Sequence, residues 1–245
     1  MAMDEPARVL VVVDRPVVAE TVVVTLNHGL YSARISPTVP DAIRLLTRWR
    51  PQLAVVDMDL GDATFLYQLG LAGPEDVATV PVLGLTRRGD LKTKLAAFAQ
   101  GVDDVITVPF SPEELLARVL AITRRAYGVY PPLRPTIRIG EIEIDILHRE
   151  VRTNNSVIHL TGLEQCLLYV LAANAGRIVG REEILDGLWG VDFAPDSNIV
   201  DRHIRSLRSK LQDDWRHPRY ISTIPGRGYR FLLPASEGAS RDGPG

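Results

Sequence analysis

Four short apolar runs, rich in β-branched residues, stand out in the first half of the chain. None of them alternates polar with apolar positions, and each is followed by a polar residue or by proline. Uninterrupted runs of this length are typical of strands that are buried on both faces of a parallel sheet. The predicted strands are residues 9–13, 53–56, 80–85 and 105–108.

Helical spacing of apolar residues fills the intervals between these runs. Ser111-Pro112 suits the start of one helix, because serine caps a helix N-terminus and proline fits its first position. Alternating strands and helices predict a doubly wound, flavodoxin-like α/β domain over residues 1–125. Its predicted helices are residues 17–27, 39–49, 91–100 and 112–125.

The pattern changes after this domain. Residues 126–136 contain three prolines and predict an extended linker. Residues 137–234 then mix alternating, strand-like segments with helical ones, which predicts a second domain of the α+β class. Residues 235–245 are rich in Gly, Ser and Pro, and we expect them to form a disordered tail.

Strands and helices are both predicted within the second domain. Residues 137–146 alternate like one half-buried strand, and Asn154-Asn155 marks the turn of a hairpin. A second hairpin surrounds Pro225-Gly-Arg-Gly228. The three predicted helices are residues 162–175, 181–188 and 197–211.

The last of these helices has two contrasting faces. Its apolar residues recur at helical spacing and predict a buried stripe; they are Val200, Ile204, Leu207 and Leu211. The opposite face is polar and rich in arginine, which suits a DNA major groove because Arg can donate two bonds to guanine or pair with a phosphate. An ordinary solvated helix face is the alternative. The polar face consists of Arg202, His203, Arg205, Ser206, Arg208 and Ser209.

Composition and charge narrow the classes of function. The chain has 245 residues, of which 46% are hydrophobic and 24% charged, as in ordinary globular proteins. No apolar run approaches the ~20 residues that span a bilayer, and the acidic start is unlike a secretory signal. We therefore expect a cytoplasmic protein without membrane contact. The one cysteine, Cys166, excludes an intramolecular disulfide and a zinc finger built on cysteine pairs.

The distribution of charge is more informative than its total. The formal net charge is only −2, but residues 200–230 contain eight Lys or Arg against three acids. A local basic stripe of this kind favours nucleic-acid binding. We find no nucleophile-and-base motif, no phosphate-binding glycine loop and no metal-ligand cluster in the sequence, so we do not expect an enzyme.

Several motifs of the second domain occur together in a characteristic order and spacing. They are Trp189-Gly190, Val200-Asp201, His203-Ile-Arg205, Leu207-Arg208 and Gly226-Arg-Gly-Tyr-Arg-Phe231. Over residues 137–233 they closely resemble the C-terminal domain of the OmpR/PhoB family of response regulators. The resemblance implies a winged helix-turn-helix that binds duplex DNA, as a dimer on half-sites about one helical turn apart.

The resemblance also assigns positions to individual residues. Residues 187–195 correspond to the loop thought to contact RNA polymerase in the family. Ser206 stands where the family often has a basic residue, and Pro225 where it often has Arg, which leaves base preference and wing contacts open. The recognition-helix positions are Arg202, His203, Arg205, Ser206 and Arg208, and the wing positions facing DNA are Thr223, Arg227 and Tyr229.

The first domain resembles the receiver domain of the same family. Asp57 follows the second apolar run and Thr86 the third, while Asp103-Asp104 and Pro109-Phe110 flank the fourth. In such sheets the strand ends supply the site. The resemblance places Asp57 at the phosphoacceptor position and Thr86 at the hydroxyl switch position.

Two parts of the receiver chemistry are missing. The family's acidic pair after the first strand is reduced to Asp14, and Val108 replaces the family's Lys. The Lys stabilises charge on the phosphoryl group, and the acids hold Mg²⁺. We expect Mg²⁺ binding by Asp14 and Asp57 to be weak or absent. Arg87 and Arg88 are candidate substitutes for the Lys.

These departures predict an atypical receiver that acts without regular phosphorylation by a sensor kinase. One alternative is a conventional response regulator that is phosphorylated at Asp57. Another is a receiver whose altered pocket binds a small molecule, with the DNA-binding domain as its output. A third is a protein-interaction regulator that has lost DNA binding.

The resemblance further implies a homodimer through the fourth helix, fifth strand and fifth helix of the receiver. Its charged positions are Lys94, Asp104, Glu114 and Arg118, with Asp103 and Arg125 as additions. Surface ion pairs contribute only about 0–1 kcal/mol each, so they set register more than strength. Apolar neighbours must supply the buried area, and the candidates are Leu95, Phe98 and Val102. Simple solvated helices are the alternative.

Overall fold

The structure is a computed structural model, and it describes most of both predicted domains. The described residues are 6–27, 31–60, 65–68, 80–128, 136–139, 141–145, 150–153, 156–188 and 198–232. The Trp189-Gly190 motif, residues 191–195 of the polymerase loop, the Asn154-Asn155 turn, most of the linker and the tail lie outside them. No helix in the described part of the chain combines the length and apolar character that crossing a bilayer requires.

The first domain is a five-stranded parallel sheet with helices on both faces, as predicted. The strand order is β2-β1-β3-β4-β5. Helices α1 and α5 cover one face, and α2, α3 and α4 cover the other. The strands are β1 (Ala7–Val12), β2 (Tyr31–Ser36), β3 (Leu53–Asp57), β4 (Val82–Thr86) and β5 (Asp104–Thr107). The helices are α1 (Pro16–Leu26), α2 (Val39–Trp49), α3 (described at residues 65–68), α4 (Leu91–Ala99) and α5 (Pro112–Tyr127).

Strand β2 was absent from the predicted set. It lies at the edge of the described sheet and pairs with β1, in register from Ala7 opposite Tyr31 to Val12 opposite Ser36. Because an edge strand needs fewer apolar residues than a central one, its sequence of mixed polarity gives no continuous apolar run. The central strands β1, β3 and β4 were found because each is buried along nearly its whole length. Strand β5, at the opposite edge, was found from the apolar run around its buried residues Val105 and Ile106.

The last helix of this domain begins and ends through local capping. The Ser111 side chain accepts a hydrogen bond from the backbone N–H of Glu114, as its sequence predicted. The helix continues two residues beyond the predicted end at residue 125, to Tyr127. It stops at Gly128, whose positive φ of 66° is the left-handed conformation that glycine adopts without strain.

The second domain is a winged helix-turn-helix. An antiparallel meander with the order β6-β7-β8-β9 precedes the helices, and a three-stranded sheet with the order β10-β12-β11 carries the C-terminal hairpin. The strands are β6 (Thr136–Ile139), β7 (Ile142–Asp145), β8 (Glu150–Thr153), β9 (Ser156–His159), β10 (Ile178–Val179), β11 (Ile221–Ile224) and β12 (Gly228–Phe231). The helices are α6 (Gly162–Ala173), α7 (Arg181–Leu188) and α8 (Ile199–Leu211).

The prediction of one strand over residues 137–146 was wrong. The chain reverses there, and β6 and β7 pair as an antiparallel hairpin with Ile139 opposite Ile142. The apolar residues shift from odd positions, Ile137 and Ile139, to even positions, Ile142 and Ile144, across the turn. This change of phase is the sign of a reversal that the prediction of a single strand overlooked.

Two unusually apolar helices, α1 and α6, pack against each other between the domains. In α1 apolar side chains are buried on most sides, and α6 is buried at nine successive positions from Glu164 to Ala172. The Cys166 thiol donates to the Phe110 carbonyl oxygen at 3.2 Å, across the same boundary. The apolar cores of the two domains therefore form one continuous cluster. Tyr169 is fully buried in it, and its hydroxyl has no hydrogen-bond partner among the described residues.

Candidate nucleic-acid interface and receiver pocket

Helix α8 has the buried stripe that its sequence predicted. Val200, Ile204, Leu207 and Leu211 are all buried. Arg202, Arg205 and Ser209 are exposed on the remaining surface, and His203 is half-buried. The geometry therefore leaves an arginine-bearing face of α8 open to solvent.

A buried carboxylate fixes α8 to α6. Glu164 forms a capping box with Thr161 at the start of α6 and is only 4% exposed. It accepts hydrogen bonds from Lys210 Nζ at 2.6 Å and from Ser206 Oγ at 2.7 Å. Burial alone would raise the pKa of Glu164, but the bonds from Lys210, Thr161 and Ser206 outweigh it and lower the pKa to about 2.

This contact changes the expected role of Ser206. The sequence placed it among the residues that face DNA, but its hydroxyl donates to Glu164 within the domain. A short side chain on the flank of α8 reaches this buried acceptor more readily than it reaches a groove. Ser206 therefore positions the recognition helix instead of extending from it.

The wing packs directly on α8. Arg208 donates from Nη2 to the Ile221 carbonyl oxygen at 2.6 Å and to Thr223 Oγ1 at 2.9 Å. Arg208 and Thr223 were both expected to face DNA, but the structure shows them holding β11 against the helix. Arg227, at the tip of the hairpin, is exposed as predicted.

The glycine after Arg227 is required by close packing. Gly228 has a φ of 139°, and a Cβ at this position would overlap the carbonyl oxygen of Val179. Only glycine allows β12 to leave the hairpin tip so close to the start of α7. The Gly-Arg-Gly motif thus places Arg227 at a sharply defined tip.

Tyr229, which was expected to face DNA, is bonded within the domain, and its contact with DNA stays a prediction. Its side chain is 3% exposed, and its hydroxyl donates to Asp201. The Arg181 guanidinium lies 5.2 Å from the centroid of the Tyr229 ring and donates from Nε to Asp201 at 3.1 Å. Burial and the bond to Asp201 raise the pKa of Tyr229 to about 12. This aromatic residue therefore joins β12 to α7 and α8.

Asp57 lies at the end of β3 and is already paired with a cation. It is 2% exposed, and its Oδ2 accepts from Arg15 Nη2 at 3.0 Å and from Arg15 Nε at 3.3 Å. Its Oδ1 accepts from the backbone N–H of Asp59 at 3.0 Å. Sequence reasoning missed Arg15, although this residue directly follows the single remaining acid, Asp14.

The other pocket residues do not complete a metal site. Asp14 is exposed, and the buried Thr86 hydroxyl is bonded to the backbone of Arg88. Arg87, a candidate substitute for the missing Lys, pairs with Asp59 at 3.0 Å. In the part of the chain that the structure describes, no three His, Cys, Asp or Glu side chains are arranged to hold a metal ion. The pocket residues therefore do not fit Mg²⁺, because the carboxylates of Asp57 and Asp59 are already paired with the guanidinium groups of Arg15 and Arg87.

Val108 lies directly after β5 and is 1% exposed. An aliphatic side chain at the family's Lys position offers no donor to a phosphoryl oxygen. The pocket therefore supplies positive charge from the β1–α1 side, through Arg15, and an apolar wall from the β5 side.

The predicted dimer face contains ion pairs within one subunit. Arg118 donates from Nη1 to Asp104 at 2.9 Å and from Nη2 to Glu114 at 2.8 Å. All three side chains are partly exposed, and Lys94 is half-buried on α4. Val102 was expected to supply apolar area, but it is 4% exposed and packs inside the domain.

Comparisons with known proteins agree with both domains. The family described as "Response regulator receiver domain" matches residues 9–120, and "Transcriptional regulatory protein, C terminal" matches residues 154–231. The transcriptional regulatory protein KdpE of Mycobacterium tuberculosis is 33% identical over 223 residues, which cover 91% of this chain and 98% of KdpE. The chain belongs to the OmpR/PhoB-type response regulators.

Other relatives of this response regulator cover a similar share of the chain. The transcriptional regulatory protein TrcR of Mycobacterium tuberculosis is 35% identical over 229 residues, covering 94% of this chain and 88% of TrcR. The crystal structure of DrrB, a Thermotoga maritima OmpR/PhoB homologue, is 30% identical with a TM-score of 0.43, and covers 93% of this chain and 99% of DrrB. The relatives named are regulators of transcription and not enzymes, in agreement with the prediction.

Replacing the buried carboxylate, Glu164→Gln, should lower stability in a pH-dependent way. Because the folded pKa of about 2 lies below the ordinary value of 4.5, ionised Glu164 stabilises the fold above about pH 4.5, and this stabilisation is lost as the pH falls toward 2. We expect the variant to lose about 2–3 kcal/mol of unfolding free energy near pH 7, and less near pH 3. Chemical denaturation at the two pH values measures this.

The exposed Glu182, in the first turn of α7, supplies the matched control Glu182→Gln. That variant should unfold like the parent protein at both pH values. An equal deficit for Glu164→Gln at the two pH values would contradict a role for the ionised carboxylate.

Proposed function

We propose that this response regulator is a sequence-specific transcription factor that binds duplex DNA in the bacterial cytoplasm. We further propose that it dimerises through its receiver and that phosphorylation of Asp57 does not control it. The proposal that phosphorylation does not control the protein rests on the ion pair between Arg15 and the buried Asp57. The proposal of DNA binding is supported by the exposed, arginine-rich face of α8.

The ion pair opposes phosphorylation in two ways. A phosphodonor needs Asp57 as a free nucleophile, but one of its oxygens is bonded to the guanidinium and the other to a backbone N–H. Separating the pair would leave a buried charge unpaired, which is strongly unfavourable. In addition, neither Mg²⁺ nor a Lys side chain is expected to neutralise charge on an incoming phosphoryl group.

The same ion pair also fixes the arrangement of the pocket. It gives the Asp57 carboxylate a fixed cationic partner at the end of β3, without metal or phosphate. This arrangement fits a receiver whose pocket is held by its own side chains.

The DNA contacts are proposed for the residues that the fold leaves exposed. Arg202 and Arg205 extend from α8, and Arg227 extends from the wing tip. The helix suits a major groove and the wing an adjacent minor groove. His203, half-buried on the flank of α8, is the remaining candidate.

The dimer surface is proposed for α4, β5 and α5. Leu91, Leu95 and Phe98 are 71%, 57% and 46% exposed and recur at helical spacing along one face of α4. Such a stripe supplies the apolar area that ion pairs alone do not. The charges of Lys94 and of the Arg118 cluster lie near it and would set the register of two copies.

Contact with RNA polymerase remains a proposal for the loop at residues 187–195. Almost all of this loop lies outside the described residues. We do not propose a sensor kinase as a regular partner, because Asp57 is bonded to Arg15.

The first test concerns DNA binding. Genomic DNA fragments that are recovered bound to the protein supply the duplex. Mobility-shift assays on this duplex then compare the affinity of the parent protein with that of Arg205→Ala. We expect Arg205→Ala to weaken binding about tenfold or more, and added salt to weaken binding of the parent protein. The control is Arg44→Ala, which changes an exposed arginine on α2 of the receiver. Equal affinity of the Arg205→Ala and parent proteins would refute the assignment of this helix face.

The second test concerns Asp57. After incubation with a small phosphodonor and Mg²⁺, intact mass should show no stoichiometric phosphoryl addition. Arg15→Ala, which frees the carboxylate, should accept more phosphoryl group than the parent protein. Stoichiometric addition to the parent protein that is lost in Asp57→Ala would overturn phosphorylation independence.

The third test concerns the dimer. Without any phosphodonor, sedimentation should show a monomer–dimer equilibrium that Leu95→Glu shifts strongly toward monomer, since a buried charge would interrupt the apolar stripe. Val157→Glu changes a similarly exposed apolar residue in the other domain and should leave the equilibrium unchanged. A parent protein that is purely monomeric at high concentration would exclude this proposal.

A further inference from the structure

A concave surface of about 520 Å³ lies beside α8 on the side of the wing. Arg205, Arg208 and Ser209 line it from α8, and Tyr229 lines it from β12. Trp215, from the turn after α8, completes the wall together with Asp201, Ile204 and Asp213. No function described above uses Trp215, although it is 62% exposed.

The turn that carries Trp215 is held firmly in place. Asp213 is buried, and its carboxylate accepts backbone hydrogen bonds from Arg219 at 2.6 Å and from Ile221 at 2.8 Å. Asp214 accepts another from the Arg216 N–H at 3.0 Å. These bonds fix the chain on both sides of Trp215, so the indole is presented on a defined turn.

The charges around the cavity favour an anionic occupant. The Asp201 carboxylate is bonded to Arg181 and to the Tyr229 hydroxyl, and Asp213 is satisfied by backbone N–H groups. Arg205 is exposed at the rim, within electrostatic reach of Asp201. Arg216 is exposed too, with its guanidinium 4.8 Å from the centroid of the Trp215 ring.

The position of the cavity indicates which anion occupies it. If α8 enters a major groove and the wing tip the adjacent minor groove, one sugar–phosphate strand separates the two grooves. That strand has to pass through the gap between helix and wing, where the cavity lies.

We propose that this cavity seats the DNA backbone strand, with Trp215 as an additional DNA-contacting residue. The indole packs on a deoxyribose and donates its N–H to a phosphate oxygen, while Arg205 and Arg216 face neighbouring phosphates. This inference rests on the proposed DNA-binding function and adds a backbone subsite to it. Because backbone contacts carry no sequence information, Trp215 contributes to affinity equally on every duplex.

The experiment compares Trp215→Ala, Arg216→Ala and the parent protein on a recovered genomic fragment and on an unrelated duplex. Trp215→Ala should weaken binding about fivefold on both duplexes, because a hydrogen bond to a charged phosphate is lost. Arg216→Ala should reduce the slope of log affinity against log salt by about one, whereas Trp215→Ala leaves the slope unchanged.

The matched control is Trp49→Ala, because Trp49 is also stacked by an arginine, Arg34 at 4.6 Å, but lies on the receiver. Circular dichroism and thermal unfolding verify that each variant folds. Parent-like affinity of Trp215→Ala would overturn the inference and leave the proposed function intact. A loss confined to the genomic fragment would overturn the backbone assignment. A parent protein that binds no duplex at any salt concentration would refute the proposed function itself.

Discussion

Helix α6 is apolar on nearly all sides, and the rest of the structure depends on covering it. Its own domain surrounds it with α7, α8 and β12, and α1 of the receiver packs against it from the other domain. The same helix carries Glu164 at its N-terminus, which binds Lys210 and Ser206 of α8. Burial of α6 thus fixes both the recognition helix and the contact between domains.

The periodicity of the sequence predicts the elements but not the partners of long polar side chains. The apolar runs gave β1, β3, β4 and β5, and the stripe from Val200 to Leu211 gave the buried face of α8. Arg208 was expected to face DNA because it lies on the polar face of α8, and Tyr229 because it shares a motif with a DNA-binding family. Their partners, Thr223 and Asp201, come from other elements, and no spacing rule reveals such contacts.

The receiver pocket is a second case in which the sequence did not reveal the partner of a long polar side chain. The sequence revealed which charges were missing, a carboxylate beside Asp14 and a Lys at Val108. It did not reveal that Arg15 turns toward Asp57, since a residue after a strand can point to either side of the sheet edge. Because Arg15 neutralises the charge of Asp57, the absence of the second carboxylate and of the Lys is compatible with a stable fold.

The packing of α1 against α6 has a consequence for how such a protein can evolve. Response regulators are assembled from two domains, and exchange of one domain for another is simple when the two share little surface. In this chain, α1 and α6 pack against each other through apolar faces. If the domains were separated, each would expose its apolar face to water. A receiver exchanged into this chain would have to bring a helix that fits α6.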